Sequence, residues 1–403
     1  PVCCVANIFL RPVCCVANAT KNHYNMNLSK TFIISKNKAK AGFLLLSLFC
    51  STLMGRAQAF QLRLLNHWDN PNGTVERGYA GRSIWKWEEI PTGKKPMPQA
   101  LQERYAEYGR INQSFGINGT VLNNVNAKPL MLTKDMLQKT AKIADVLRPY
   151  GLRVYLSVNF ASPKALGEVA TADPLDVKVK QWWAKKADEI YKLIPDFGGF
   201  LVKANSEGEP GPMDYGRTHV DGANMLAEAL QPHGGIVMWR AFVYAATAAD
   251  RANQAYEEFV KYDGQFADNV IIQIKNGPID FQPREPVSPL FFALKKTKMM
   301  AEFQITQEYT GHSIHTCFLA PMWREFFDTL QPHNVKLVGV AGVANIGDAE
   351  NWTANDLGMA NWYAFGRLAN DPQVPSRTIA EDFLKQYYSE DERFVRPVAQ
   401  LLS

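Results

Sequence analysis

Past its first 59 residues the sequence is almost without cysteine: of six in the chain, only Cys317 lies beyond that point. No disulfide can form within that stretch, so neither a disulfide scaffold nor dithiol redox chemistry is expected. Cys317 stands in the apolar run Cys317-Phe318-Leu319-Ala320 and reads as a small hydrophobe. Membrane-spanning length is lacking as well. The apolar stretch Gly42–Leu53 holds about a dozen residues, short of the ~20 that a spanning helix needs. No G-x-G-x-x-G follows an expected strand and no Walker loop appears, so the usual nucleotide-binding signatures are missing. Acidic side chains are absent from the first 59 positions, which carry seven basic ones (Arg11, Lys21, Lys30, Lys36, Lys38, Lys40 and Arg56). Taking those seven from the 44 Lys and Arg leaves 37 basic against 39 acidic residues, so the body of the chain is slightly acidic despite a formal +5 overall. A nucleic-acid partner is therefore not expected.

The leader has its own organisation. Pro1 to Asn7 is repeated identically at Pro12 to Asn18, and residues 1–25 read as upstream sequence outside the fold. The adjacent cysteine pairs Cys3-Cys4 and Cys14-Cys15 lack zinc-ligand spacing. From Met26 the order is a Lys-rich segment, the apolar stretch and Ala57-Gln58-Ala59, which predicts a signal peptide over 26–59 and export to the periplasm or the medium.

With 46% hydrophobic and 21% charged residues, the 403-residue chain has the composition of a globular protein. From residue 60 onward, β-rich apolar runs alternate with helical patterns, the order of repeated βα units. Eight strands are expected, at Leu62–His67, Gly119–Asn124, Leu152–Asn159, Gly199–Ala204, Ile236–Val243, Val270–Lys275, Ala301–Gln307 and Leu337–Ala344. Helices are expected at Lys134–Leu147, by its three- and four-residue apolar spacing, and from an Asp173-Pro174 cap through to Leu193. Eight such pairs predict a (β/α)8 TIM barrel over 60–350, with an open doubly wound sheet as the alternative. Residues 351–403 read as the start of a helical C-terminal domain, with helices at Trp362–Leu368 and Thr378–Tyr388, that stops partway.

In such a barrel the working residues project from the C-terminal strand ends. Those ends are polar here: Lys203 to Glu209 after the fourth strand, Arg240 in the fifth, Lys275 to Asp280 after the sixth and Gln304 to Tyr309 after the seventh. Three carboxylates, Glu207, Asp280 and Glu308, would share one face with the three cations. A proton-donating acid and a water-activating carboxylate are the parts that glycoside hydrolysis needs. Cations aimed into the same site suggest an anionic sugar such as a uronic acid. A structural lysine paired with a barrel carboxylate explains Lys203 or Lys275 individually just as well. The same lysines would also suit a Schiff-base aldolase, and a non-catalytic uronate-binding protein is a third reading.

The sequence also resembles a family. Leu62 to Asn70 (LRLLNHWDN), Val75 to Trp85 (VERGYAGRSIW), Gly199 to Pro212, Gln273 to Pro286 and Glu302 to Tyr309 look like blocks of the α-glucuronidases of glycoside hydrolase family 67. The resemblance runs from about residue 61 to the end. It implies an inverting hydrolase that removes α-1,2-linked glucuronic or 4-O-methylglucuronic acid from xylo-oligosaccharides during xylan degradation, with no cofactor and no metal. It makes Glu207 the general acid, and Asp280 and Glu308 the pair flanking the attacking water. Lys203, Arg240 and Lys275 would hold the uronate carboxylate. Trp68 would be the stacking platform, and Val125 part of the niche for the 4-O-methyl group. In full-length relatives the resemblance further implies a homodimer through the C-terminal region and a separate domain before the barrel. An inverting pair should stand about 6.5 to 9.5 Å apart. Glu207 would have to be protonated near neutrality, which a partly apolar setting would achieve by raising its pKa. Glu209, so close by, could compete for that role.

The remaining residues have plainer readings. Trp85, Trp87, Trp182, Trp183 and Trp323 read as packing between barrel and helices. His312 and His315 read as ordinary histidines in a loop, and Asn72-Gly73-Thr74 and Asn351-Trp352-Thr353 fit glycosylation sequons.

Overall fold

The computed structural model describes residues 59–242, 250–283, 285–355 and 357–403. The doubled cysteine segment and most of the expected signal peptide lie outside the described residues, as does Val243 at the end of the fifth expected strand.

Eight parallel strands close into a barrel in chain order: β1 (Leu62–Asn66), β2 (Gly119–Val121), β3 (Arg153–Ser157), β4 (Gly199–Val202), β5 (Ile236–Arg240), β6 (Val270–Lys275), β7 (Met299–Gln304) and β8 (Gly339–Val343). Closure is direct, with Leu62 of β1 in register with Gly339 of β8 and Asn66 with Val343. At Gly339 an added Cβ would lie 2.7 Å from the Leu62 carbonyl oxygen, so this strand junction requires glycine. Most strands are shorter than the apolar runs suggest, because those runs continue into the loop that leaves the barrel's C-terminal face; β6 has the expected bounds, and β7 is shifted two residues toward its start.

Both faces of the sheet are buried, as a parallel sheet requires. Outward residues such as Leu65, Phe200, Trp239, Ile272 and Phe303 pack against the helices, together with Trp85, Trp183 and Trp323. The helix Lys134–Leu147 forms as its spacing predicts, burying Leu137, Ile143, Ala144 and Leu147. The helix toward Leu193 begins three residues later than the Asp173-Pro174 pair suggests. Asp176 is its cap, accepting from the amides of Lys178 and Val179, so the helix is Val177–Leu193. Asp173 instead accepts from the Leu175 amide and pairs with Arg217. The two acidic residues are equally good caps by type; Asp176 takes the cap, and Asp173 pairs with Arg217.

Helices Gly358–Asn370, Ser376–Tyr387 and Glu392–Leu402 follow β8. The first packs beside both Gln99–Phe115 and Ala320–Leu330, so it fills the last gap in the ring of helices around the barrel. Trp362 anchors it, edge-on to Phe115 and donating its indole N–H to Asn112. Among the described residues, no helix is long and apolar enough to cross a membrane.

Candidate active site

The inward faces of the strands build the site's floor. One residue from each strand, Leu64, Val121, Tyr155, Leu201, Met238, Ile271, Met300 and Ala341, joins a single apolar cluster inside the barrel. Side chains alternate along a strand, so the residue two places on faces the same way, nearer the C-terminal end. Those residues are Asn66, Asn123, Ser157, Lys203, Arg240, Gln273, Glu302 and Val343. Seven of the eight are polar, and all are buried. The interior therefore changes from apolar to polar within one strand repeat.

Lys203 and Arg240 at this level, and Lys275 one repeat further along β6, each meet a carboxylate. Lys203 Nζ lies 2.5 Å from Glu207 Oε2 and 2.7 Å from Asn126 Oδ1. Lys275 Nζ lies 2.5 Å from Asp280 Oδ1 and 3.3 Å from the centre of the Phe242 ring. Arg240 makes a two-pronged contact with Glu302, Nε to Oε2 at 2.8 Å and Nη2 to Oε1 at 2.6 Å. Gln273 adds a third hydrogen bond to Glu302 at 2.6 Å. Glu308 sits at the rim, receiving Arg77 Nε at 2.5 Å and Gln304 Nε2 at 2.9 Å. Tyr309 donates its hydroxyl to Asp280 Oδ2.

A belt of hydrogen bonds joins the two sides. Asn126, whose Oδ1 accepts from Lys203, donates to Glu76 Oε2 at 2.9 Å, and Arg77 reaches Glu76 Oε1 at 3.2 Å. The neighbourhood of Glu207 is thus tied through Lys203, Asn126, Glu76 and Arg77 to Glu308. The carboxylate loops are also held in unusual backbone conformations. Glu207 (φ 50°), Asp280 (φ 41°) and Gln307 (φ 61°) lie in the left-handed region, as do Asn205 and Arg77. Such conformations persist in non-glycine residues only where surrounding contacts over-determine them. Around Glu207 those contacts are visible: Asn205 accepts from the Met213 amide and donates to Asp214, which in turn accepts from the Gly211 amide.

The electrostatics separate the carboxylates. Burial alone would raise the pKa of Glu207, but the Lys203 hydrogen bond and charge, with Lys275 and Arg240 behind, outweigh it and hold the carboxyl below its ordinary value. This corrects the expectation of a raised Glu207. The polar strand ends place ammonium rather than apolar groups against it. Burial likewise works against ionisation of Asp280 and Glu302, and the neighbouring cations reverse it, keeping both below the usual range. Glu209 goes the other way. Burial raises its carboxyl, only partly offset by Lys203, Lys128 and the amide of Asn159 at 3.1 Å. Lys275 is pushed down to about 8, chiefly by burial and then by Arg240.

The sequence-predicted residues fall out as follows. Arg240 and Lys275 close β5 and β6, and Lys203 directly follows β4, each at most 4% exposed. Glu207, Asp280 and Glu308 occupy the loops after β4, β6 and β7. Trp68 and Val125 join the inner apolar cluster, with Phe281 beside them, and are nearly covered; the Trp68 indole nitrogen is buried without a partner among the described residues. His312 lies in the loop after β7, stacked on Tyr79. Among the described residues, no three His, Cys, Asp or Glu side chains gather as a metal site would require. Glu302, Glu76 and Arg77 carry much of the geometry and were assigned no role from the sequence. Glu302 had a signal: it is a lone carboxylate inside the otherwise uncharged strand MMAEFQ, where a charge needs a partner.

Sequence comparison fits this architecture. The Glycosyl hydrolase family 67 middle domain matches residues 51–352, and the family's C-terminal domain matches 353–403. The chain belongs to glycosyl hydrolase family 67. Alpha-glucuronidase A of Emericella nidulans is 46% identical over 369 residues, covering 84% of this chain and 43% of that protein. Alpha-glucuronidase of Hypocrea jecorina is 44% identical over 367 residues, with 84% and 42% covered. The chain therefore spans less than half the length of these curated relatives. In this family 67 chain the closed parallel barrel carries the three buried cations and the three loop carboxylates on the ends of four successive strands, β4 to β7, and the loops after them.

Proposed function

We propose that this chain hydrolyses the α-1,2 bond between a glucuronic or 4-O-methylglucuronic acid and the xylose of a xylo-oligosaccharide, with inversion. The observation that carries the reading is the trio of buried cations, Lys203, Arg240 and Lys275, beneath three loop carboxylates. Such a trio suits an anionic sugar ring, and the relatives named as alpha-glucuronidases support the same substrate class. Glu207 gives its proton to the leaving xylose oxygen. Asp280 and Glu308 flank the water, and one of them takes its proton as the water oxygen bonds to the anomeric carbon. Trp68 and Val125 line the sugar's apolar side. The Lys-rich and apolar segment before Ala59 supports export, where xylan fragments would be met.

Incubating the chain with aldouronic acids should release the sugar acid, with the inverted anomer seen first by proton NMR. The retained anomer would refute inversion. Glu207→Ala should lower turnover of xylo-oligosaccharides by about 10²–10⁴-fold, the usual worth of a general acid, and should cost far less on an aryl glucuronide with a good leaving group. Equal losses on both would remove Glu207 from that role. Lys203 and Lys275, the latter with its pKa pushed down to about 8, are the groups an aldolase would share. Borohydride trapping with a keto acid should leave both unmodified.

A further inference from the structure

We propose that Phe242 and Phe281 are positioning residues of the uronate site: their ring faces keep the buried Lys275 ammonium charged and leave its N–H groups to the incoming carboxylate. The inference rests on the uronate reading above and adds how one of its cations is kept ready.

Two rings meet at one ammonium. Lys275 Nζ lies 3.3 Å from the centre of the Phe242 ring and 4.5 Å from that of Phe281. Both phenylalanines are buried, and they come from different loops, Phe242 two residues past Arg240 at the end of β5 and Phe281 directly after Asp280. Asp280 (φ 41°) and Phe281 (φ 64°) are consecutive residues in the left-handed region. Neither side chain favours that conformation, and the turn it makes sets a carboxylate and a ring against the same ammonium. Phe281 also belongs to the apolar cluster that holds Trp68 and Val125, so its ring is continuous with the surface assigned to the sugar.

The charges around Lys275 show what the rings contribute. The groups facing it are Arg240 from β5, Asp280 on its own loop, Glu302 from β7 and Glu207 from the loop after β4. Glu302 is committed to Arg240 by two hydrogen bonds. Asp280 supplies the one hydrogen bond that Lys275 makes among the described residues. Burial and then Arg240 work against the ammonium and push it down to about 8. A ring face attracts a cation through its quadrupole, most strongly where water is excluded. Phe242 lies 5.8 Å from Arg240 Cζ as well, so one ring faces both of two cations that repel each other. A ring also offers no acceptor, so no hydrogen bond to it has to break before a carboxylate takes the ammonium. Lys203 is held differently, by the side-chain oxygens of Asn126 and Glu207.

The test is calorimetric titration of the full chain with D-glucuronate from about pH 6 to about pH 10, with kcat/KM for aldouronic acids over the same range as a second reading. The parent is compared with Phe242→Leu, Phe281→Leu and Phe281→Tyr. Leucine keeps the site dry and nearly filled while removing the ring face. In the parent, affinity should fall about tenfold per pH unit once Lys275 loses its proton, because the ligand binds the charged form. Either leucine variant should move that fall toward lower pH by about one unit, with binding at the acid end of the range within a few-fold of the parent. Phe281→Tyr retains the ring face and should leave the limb in place. An equal loss at every pH, or an unmoved limb in the leucine variants, would make the rings simple packing and overturn the proposal. Should one leucine variant unfold, the other, on a separate loop, decides the question. If glucuronate does not bind the parent and aldouronic acids are not cleaved, the uronate reading fails, and this inference fails with it.

Discussion

Two adjacent layers inside one barrel follow opposite rules. The lower layer, from Leu64 to Ala341, is held by apolar contact alone. The upper layer, one side-chain repeat nearer the mouth, holds a lysine, an arginine and a glutamate in the same degree of burial, with Lys275 one repeat further on. The lower layer tolerates loss of shape at the cost of stability, because its contacts are many and individually weak. The upper layer depends on pairing, because a single uncompensated charge in it costs more than the pair contributes. Within the upper layer there is a further division. Arg240–Glu302 has both partners buried and is fixed, whereas Lys203–Glu207 and Lys275–Asp280 have buried cations and partly exposed carboxylates. A ligand entering from the mouth can compete for the second kind and not the first.

The largest effect should come from splitting the fixed pair. Glu302→Leu leaves Arg240 buried without its partner and should destabilise the fold by about 3–5 kcal/mol. Arg240→Met with Glu302→Leu should recover most of that loss in thermal or urea unfolding while still failing to bind glucuronate. A double substitution as unstable as the single one would mean that the pair, rather than its breakage, holds the layer together. The sign of the pH effect follows from the lowered Glu302 pKa. Its contribution is complete above the unfolded carboxyl value of about 4.3 and is lost as pH falls through the lower folded value. Stability of the double variant should therefore fall less in acid than that of the parent.

A somewhat smaller effect is expected from the lower layer. Leu201→Ala, directly beneath Lys203, should cost about 2–5 kcal/mol by urea unfolding and leave glucuronate affinity within a few-fold. A large affinity loss would show that the two layers are not independent.

The smallest is a titration. Lys275 is charged below about pH 8 and neutral above it, so kcat/KM for aldouronic acids should decline about tenfold per pH unit above that point. A neutral aryl glucoside, if turned over at all, should not share that limb. A common limb for both would remove Lys275 from uronate binding.

Much of this was legible in the residues. The eight apolar runs mark the strands because each must be buried on both faces, and the polar residues closing β4 to β7 mark the barrel's working end. Lys203, Arg240, Lys275, Glu207, Asp280 and Glu308 could be singled out by type and position. Their pairings could not. That Asp173 pairs with Arg217, some forty residues away, while Asp176 caps the helix is not written in the local residue types. That Glu302 belongs to Arg240 depends on β5 and β7 lying on either side of β6 in a closed sheet.

The sequence by itself determined the strand count, the polar residues that follow the apolar inward layer around most of the barrel, and the residue types available for chemistry. These are local properties, written in period-two patterns along the chain. Only the tertiary structure decided which charge neutralises which, and with it the protonation of Glu207. A pKa is set by distances of a few ångströms: Lys203 lies four residues from Glu207, but the Lys275 and Arg240 charges behind it come from strands remote in sequence. Closure of the barrel brings Lys203, Arg240 and Lys275 behind a carboxyl that, read in its own loop, had every reason to be protonated.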